Sequence, residues 1–136
     1  ASDITARKLA AADAEGQINA IRRSQAVIHF RPDGTILDAN DIFLGAMGYG
    51  MEEVRGQHHR IFVDPADQAS SEYRQLWADL RQGRYRSGEF RRIARGGREV
   101  WIQATYTPIL DPSGAVYKVV KFATDITAQV QDRLRR

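Results

Sequence analysis

The sequence predicts one α+β domain in which a five-stranded antiparallel sheet carries short helices and one longer helix on one face. Two short apolar segments flank Asp33-Gly34, a dipeptide that favours the tight turn of a β-hairpin. Near the other end, three apolar segments alternate with glycine-containing turns, a pattern typical of an antiparallel meander. Helical patterns occupy the stretch between them. Strands and helices are therefore segregated along the chain, as in α+β domains.

Length and composition limit the classes of function. At 136 residues the chain suits one domain, and 43% apolar with 27% charged residues is ordinary globular usage without an apolar run long enough to span a membrane. Cysteine is absent, which excludes disulfides and thiolate chemistry and fits a cytoplasmic location. The net charge of +3 comes from scattered arginines without an aromatic-interleaved basic motif. We expect neither nucleic-acid binding nor direct membrane insertion.

The N-terminal segment 1–23 is predicted to be a connector helix. Apolar residues recur near helical spacing from Ala6 to Arg23, and Thr5 can cap the start. The apolar stripe is thin, so this helix would be marginal alone and needs a partner. We expect a homodimer through this helix. The apolar residues that it offers are Leu9, Ile18 and Ile21.

The first hairpin and the brief helices follow. The predicted strands Ala26–Phe30 and Ile36–Asn40 form the hairpin, and His29 is interpreted as an ordinary half-buried or edge residue of the first strand. A two-turn helix at Ile42–Met47 and a short turn at Met51–Val54 come next. Several brief helical pieces in succession are typical of a chain that wraps around a core or a ligand cavity.

The longer helix is predicted over Ala66–Gln82. Asp64-Pro65 is a start signal and Gly83 a stop signal. Its apolar stripe consists of Ala69, Tyr73, Leu76, Trp77 and Leu80. Trp77 is therefore interpreted as core, with a cofactor platform as the alternative.

Three strands close the domain. They are predicted at Ser87–Ala94, Glu99–Leu110 and Ala115–Thr127, with turns at Arg95–Gly97 and Asp111–Gly114. In the middle strand, alternation places Val100, Ile102, Ala104 and Tyr106 on one face.

The segment Gly56–Pro65 holds two of the three histidines, His58 and His59, beside Arg60. Imidazole titrates near neutrality, ligates metals and can donate hydrogen bonds to bound heterocycles. The alternative is a pair of surface histidines without such a role, because adjacent side chains usually point in different directions.

These elements, in this order, resemble a PAS domain over residues 24–127. The supporting motifs are Pro32–Asn40, Phe43-Leu44, Gly48-Tyr49, Glu53–Gly56, Gly83, Gly88-Glu89, Trp101-Ile102 and Asp125-Ile126-Thr127. More narrowly, His58–Asp64 together with Lys118–Thr127 is similar to the tandem PAS domains of bacterial methyl-accepting chemotaxis proteins. The resemblance implies a sensory or relay module, such as an energy-taxis sensor, flanked by connector helices at 1–23 and 128–136. It also implies a neighbouring PAS or output domain in cis.

The near-repeat of the two ends agrees with a tandem arrangement. Ala1-Ser-Asp-Ile-Thr-Ala6 resembles Ala123-Thr-Asp-Ile-Thr-Ala128, at an offset of 122 residues. This offset is the length of one domain plus one connector, so we expect a similar domain to precede this one.

The resemblance also limits the cofactor. In the photosensory LOV branch, the position matching His59 carries the cysteine that forms the flavin adduct, so that photochemistry is excluded. The positions that hydrogen-bond the flavin ring match Ile102 and Ala123, which argues against FMN bound in the LOV manner. FAD and haem remain open. In the haem branch of the family the longer helix supplies the iron ligand, but the predicted helix Ala66–Gln82 has no histidine. Haem would therefore need His58 or His59 as its ligand. No other metal site is expected.

Candidate site residues follow from the resemblance. The cofactor-binding candidates are Asn40, His58, His59, Trp77, Arg92, Ile102, Ala104 and Tyr106. We expect His59 to face the interior and His58 the surface. Asp125 and Thr127 are expected to form a signal junction, with the Thr127 hydroxyl capping the outgoing helix and the Asp125 carboxylate tying down the strand end.

Two functions remain open from sequence. The first is a sensory or relay domain that binds a cofactor or small ligand. The second is a ligand-free interaction and dimerisation module with a filled core. An enzyme is not predicted, because the sequence contains no nucleophile-base arrangement, phosphate-cradling loop or metal-ligand spacing.

Overall fold

A computed structural model describes residues 25–135 and confirms the α+β prediction. The sheet has the order β2-β1-β5-β4-β3, with every neighbouring pair antiparallel. The strands are β1 (Ala26–Phe30), β2 (Ile36–Ala39), β3 (Arg86–Ile93), β4 (Glu99–Leu110) and β5 (Val116–Asp125). The helices are α1 (Asp41–Met47), α2 (Met51–Val54), α3 (Pro65–Gln68), α4 (Ser71–Arg81) and α5 (Thr127–Arg135), with 3-10 turns at His59–Phe62 and Arg95–Gly97. The expected N-terminal helix at 1–23 lies outside the described residues.

The hairpin at Asp33-Gly34 forms as predicted, with the two residues in different roles. Gly34 takes the positive φ of 93°, while the Asp33 carboxylate accepts a hydrogen bond from the Thr35 N–H at 2.9 Å. Arg31 N–H donates to the Thr35 carbonyl at 2.8 Å, and Gly34 N–H donates to the Arg31 carbonyl at 2.9 Å. The turns at 94–98 and 111–115 repeat these two backbone bonds.

The predicted single helix Ala66–Gln82 is wrong, because the structure divides it into α3 and α4. The break falls at Ser70, whose hydroxyl accepts a hydrogen bond from the Tyr73 N–H at 3.1 Å and so caps α4. Apolar spacing could not reveal the break, since all of the stripe except Ala69 lies within α4.

The core lies between the helices and the inner face of the sheet. Val100, Ile102, Ala104 and Tyr106 are all buried on that face, which confirms the alternation predicted for β4. His29 is half-buried within β1, as expected. Three polar or charged side chains are also buried among the described residues: His59, Arg92 and Lys121.

Element ends differ from the predictions by a residue or two. The strand β2 ends at Ala39 because Asn40 caps α1, and α5 already begins at Thr127. Within residues 25–135, no helix has the length and apolar character that a membrane crossing requires.

Candidate functional site

A buried polar cluster, formed by His59, Tyr73, Arg92, Tyr106 and Lys121, occupies the space between the helices and the sheet. His59 is fully buried at the start of the 3-10 turn, so it faces the interior as predicted. Its Nδ1 lies 2.8 Å from the Tyr73 hydroxyl and its Nε2 lies 3.1 Å from the Tyr106 hydroxyl. A neutral imidazole has one donor and one acceptor nitrogen, so one tyrosine accepts from the ring and the other donates to it.

The position of His59 is set by backbone and aromatic contacts. Its N–H donates to the Gly34 carbonyl at 2.9 Å, which ties the 3-10 turn to the first hairpin. The ring stacks on Tyr73 with centroids 5.6 Å apart, and Phe30 and Trp77 meet it edge to face at 5.3 and 5.4 Å. These contacts fix the orientation of the imidazole.

Burial and nearby charge keep His59 neutral. Burial, together with the charges of Arg92 and Lys121, holds the pKa of His59 well below its ordinary value of 6.5. The imidazole therefore carries no charge at neutral pH.

Arg92 is a buried cation with part of its hydrogen bonding unmet. Its Nη2 donates to the Tyr106 hydroxyl at 2.9 Å and its Nη1 to the Arg91 carbonyl at 3.0 Å. The guanidinium carbon lies 4.9 Å from the centre of the Phe90 ring, a cation–π contact. Its buried Nε–H has no acceptor.

Lys121 is the second buried cation, directly opposite Tyr106 in the β4–β5 pairing. Its Nζ lies 5.1 Å from the centre of the Tyr106 ring and 5.5 Å from that of Phe43, and it makes no hydrogen bond of good geometry. Burial lowers the pKa of Lys121 from 10.5 to about 8, although the nearby Tyr106 hydroxyl favours the charged form. The ammonium is therefore still mostly protonated at pH 7.

This environment shifts the pKa values of the two tyrosines in opposite directions. Burial raises the pKa of Tyr73 to about 12. Burial also acts to raise the pKa of Tyr106, but the charges of Arg92 and Lys121 outweigh it and bring that pKa below 10.0. Tyr106 is thus the hydroxyl on which both buried cations act.

A groove of about 470 Å³ between α4 and β3 leads to this cluster from the surface. Tyr73 and Arg92 belong to both the groove and the cluster. The remaining lining residues are Val63, Asp67, Ser70, Glu72, Leu76, Arg86, Glu89, Phe90, Arg91 and Trp101.

His58 is a partly buried structural residue nearer the surface, as expected. Its Nδ1 accepts from the Arg60 N–H at 3.0 Å, so the proton is on Nε2, which donates to the Asp33 carbonyl at 2.8 Å. A Cβ at Gly34 would lie only 2.5 Å from Nε2, so the glycine also makes room for this ring. Partial burial lowers the pKa of His58.

Asn40 also has a local structural task. Its side-chain oxygen accepts from the N–H groups of Phe43 and Val27, both at 3.0 Å, and its amide donates to the Gln25 carbonyl at 2.8 Å. It therefore caps α1 and fastens the start of β1.

The other candidates are core residues. Trp77 is buried edge to face against Phe30 at 5.5 Å, and Ile102 and Ala104 lie on the inner face of β4. The structure thus brings His59, Arg92 and Tyr106 together, with Trp77 against His59.

Haem ligation by either histidine does not fit these contacts. Each ring nitrogen of His58 and His59 already has a hydrogen-bond partner within 3.1 Å. Iron binding to His59 would have to displace Tyr73 or Tyr106 from a packed interior. Over residues 25–135, no three metal-ligating side chains cluster to hold an ion.

The end of the sheet joins α5 through Asp125 and Thr127. The Asp125 carboxylate accepts from the Thr127 N–H at 2.9 Å and from its hydroxyl at 2.6 Å, so the carboxylate provides the cap. The Thr127 hydroxyl oxygen accepts from the Trp101 N–H at 3.0 Å and ties the helix start to β4. The Asp125 carboxylate thus binds nearby donors at the strand end, as expected, whereas the Thr127 hydroxyl binds the backbone of β4 instead of capping α5.

A second contact holds α5 to the sheet. Arg133 donates to both carboxylate oxygens of Glu89, at 3.1 and 2.9 Å. Because Glu89 also lines the groove, this ion pair connects the rim of the groove to the outgoing helix.

Sequence reasoning missed Tyr73 and Lys121 as members of the cluster. For Lys121 a signal existed, since Val119 and Ala123 alternate with it on the inner face of β5. For Tyr73 there was none beyond its place in the apolar stripe.

Comparison with known proteins gives one family. Residues 36–123 match the family described as PAS fold. The chain is 43% identical over 136 residues to biofilm dispersion protein BdlA of Pseudomonas aeruginosa, and the match covers all of the chain and 32% of BdlA. It is 29% identical to the aerotaxis receptor of Escherichia coli over 55% of the chain and 15% of the receptor. It is 28% identical to the oxygen sensor protein DosP of Escherichia coli over 79% of the chain and 13% of that protein. The chain thus spans a third or less of these relatives.

Solved structures agree on the fold. A PAS domain from Colwellia psychrerythraea superposes with a TM-score of 0.72 at 22% identity, covering 85% of this chain and 98% of the other. A Light-Oxygen-Voltage domain studied with a flavin analogue gives 0.71 at 18% identity, covering 88% and 90%. At these identities the likeness concerns the fold alone.

Proposed function

The chain belongs to the PAS-fold family, and from this premise we propose that it is a sensory or signal-relay domain of a bacterial chemotaxis-type receptor. In this proposal it works in the cytoplasm, binds a small ligand or cofactor, and passes a conformational change to a neighbouring PAS or output domain. The similarity to BdlA over the whole chain, and to the aerotaxis receptor over part of it, supports this assignment. We propose no catalytic activity.

The observation that carries the proposal is the buried polar cluster at the inner end of the groove. A purely structural core gains nothing from two buried cations without a carboxylate, because burying an unpaired charge is unfavourable. Arg92 and Lys121 are buried in this way among the described residues, and Arg92 is reached from the surface. Polar groups with unmet hydrogen bonds at the end of a groove are typical of a ligand site.

The signal leaves by the sheet. Tyr106 on β4 and Lys121 on β5 form a directly opposed pair, and the contacts that hold α5 lie where β4 begins and β5 ends. A ligand that moves this pair would change the position of the strand ends relative to α5. Such a change acts as a switch only if the ligand prefers one of two arrangements.

The test is made in the full-length receptor. Asp125→Ala removes the carboxylate that binds Thr127, so we expect loss of the response to stimulus while fold and ligand binding persist. Asp111→Ala is the matched control, because Asp111 accepts from Ser113 and Ala115 in the β4–β5 turn, remote from α5. A normal response in the Asp125 variant would refute relay through this junction and leave Asp125 a structural residue.

The second candidate is a ligand-free interaction and dimerisation module. Its support is the filled interior, in which His59 and Tyr106 have no exposed surface and haem ligation does not fit. An absorbance spectrum of protein purified from cells tests for a coloured cofactor, whose presence would exclude this second candidate. A flavin or haem band supports a cofactor-bearing sensor, and a flat visible spectrum after reconstitution with FAD and haemin favours a colourless ligand or none.

A further inference from the structure

The arginines of the groove differ in their partners. Arg86 pairs with Asp79 at 2.8 Å, and Arg91 pairs with Asp64 at 3.1 Å. Arg92, which is only 6% exposed, has no carboxylate partner within residues 25–135. The most buried guanidinium of the groove is therefore the one without a counter-charge.

A second positive charge lies behind Arg92. Lys121 is 1% exposed, and like Arg92 it acts on Tyr106, one through its hydroxyl and the other across its ring. Two positive charges in a low-dielectric interior repel each other and lose their hydration. An anion bound beside Arg92 would offset both effects.

The lining of the groove indicates what kind of molecule bears the anionic group. Val63, Leu76, Phe90 and Trp101 give part of the groove an apolar and aromatic lining. Its lining also includes three carboxylates: Asp67 pairs with Arg91, Glu89 pairs with Arg133, and Glu72 is the third. Phe90 lies against the Arg92 guanidinium at 4.9 Å, so a flat ring has an aromatic and a cationic neighbour together. The volume of about 470 Å³ is that of a small-molecule site.

We propose that this groove binds a planar aromatic anion whose acidic group pairs with Arg92, with Lys121 adding positive potential from behind Tyr106. The inference rests on the proposed function, because it names the ligand class of the same sensory site. A guanidinium fork binds carboxylate and phosphate alike, so the acidic group can come from an aromatic acid or from an aryl phosphate.

The test compares benzoate, phenyl phosphate and the neutral isostere benzamide on the whole chain by calorimetric titration and thermal shift. We expect one or both anions to bind roughly 10- to 100-fold more tightly than benzamide, the range expected of hydrogen bonds to a charged group. The stronger of the two anions identifies the source of the acidic group. Equal binding of benzoate, phenyl phosphate and benzamide, or no binding of any of them, would overturn the inference without any variant.

Variants then test whether Arg92 binds the anionic group. Arg92→Met should abolish the preference for the anions, and Lys121→Met should reduce it. Arg95→Met is the control for lost charge, because Arg95 pairs with Glu53 at 3.0 Å outside the groove. A preference that survives Arg92→Met in a folded protein, shown by an unchanged near-ultraviolet circular dichroism spectrum, would place the anion elsewhere and refute the site.

Failure of this inference and failure of the proposed function give different results. If the anions do not bind but Asp125→Ala still uncouples the full-length receptor, the relay function stands and the ligand class is wrong. If the anions bind and the Asp125 variant responds normally, the site stands and the route of the signal is wrong.

Discussion

Among single residues, Lys121 combines a full charge with almost complete burial. The lowered pKa of this side chain, about 8, means that burial, together with the charge of Arg92, outweighs the favourable effect of the Tyr106 hydroxyl. The charge therefore destabilises the ligand-free fold, and a residue that destabilises the fold can persist because binding needs it.

We expect Lys121→Met to stabilise the protein. Methionine keeps the unbranched shape of the side chain, is shorter by one atom and carries no charge, so the free energy of unfolding should rise by about 1–3 kcal/mol. Urea denaturation at pH 7 without ligand measures it. Lys118→Met, on the same strand but not buried, should change little. A less stable Lys121 variant would mean that the ring contacts outweigh desolvation.

His59 should make the fold sensitive to mild acid. Its pKa is depressed in the folded state, so below pH 6.5 the unfolded chain takes up a proton that the folded chain does not. The protonation of His59 therefore does not reduce the free energy of unfolding above pH 6.5. Below that pH the free energy of unfolding falls, by up to about 1.4 kcal/mol per pH unit from this one group.

Urea denaturation from pH 7.5 to 5 checks this dependence. His59→Phe should lower stability at all pH values, because Tyr73 and Tyr106 lose a partner, but it should flatten the pH profile. His58→Gln should flatten the profile less, since that ring is only partly buried. An unchanged slope in the His59 variant would show that other groups cause the acid sensitivity.

The sequence predicted the orientation of some of these side chains but not their partners. The inward side of β4 followed from strict alternation, which placed Tyr106 correctly. His59 was placed inward through the family resemblance, whereas its tyrosine partners depend on how α4 lies across the sheet, which spacing does not encode. The pairing of Lys121 with Tyr106 depends on the β4–β5 register.

At the scale of elements, local capping explains the differences from prediction. Ser70 restarts a helix that periodicity alone would continue, and Asn40 ends β2 by capping α1. At the other end, Asp125 and Thr127 both contribute, but the tie from Thr127 runs to Trp101 on a strand remote in sequence. The carboxylate bond is local and could be foreseen, whereas the bond across to β4 required the fold.

The Glu89–Arg133 ion pair should restrain α5 locally. Both side chains are partly exposed, so the pair contributes little to global stability, but its two parallel bonds fix where the helix lies. Arg133→Gln should increase amide hydrogen exchange in α5 and leave β4 and β5 unchanged. Arg135→Gln is the control, because no ion pair of Arg135 occurs among the described contacts. Equal exchange in both variants would argue against such a restraint.

At the scale of the whole molecule, the order of elements and the sheet were predictable because hairpin turns, alternation and stop signals are local in sequence. The contents of the interior were less predictable. Three candidates, His59, Arg92 and Tyr106, meet in the buried polar cluster, whereas Asn40 and His58 fasten the chain elsewhere. A side chain's neighbours depend on packing between distant segments, which the spacing of residues along the sequence does not encode.

Self-association is expected through the segment 1–23. The outer face of the sheet has a shallow depression of about 480 Å³ at its centre, where Phe122 lies among polar side chains of β4 and β5. Gln25, the first residue that the structure describes, borders it. An amphipathic helix with a thin apolar stripe gains most by packing against such a face or against its equivalent in a second copy.

We therefore expect the chain to be a dimer and deletion of residues 1–22 to make it monomeric, because the deletion removes Leu9, Ile18 and Ile21. Sedimentation equilibrium over a range of concentrations measures both states. Phe122→Ser should weaken the dimer if the helix packs on the outer face, whereas Tyr117→Ser, an exposed aromatic residue of the same strand outside the depression, should not. If the helices pair only with each other, the deletion still dissociates the dimer but Phe122→Ser does not. A monomer at high concentration, unaltered by the deletion, would refute association through this helix.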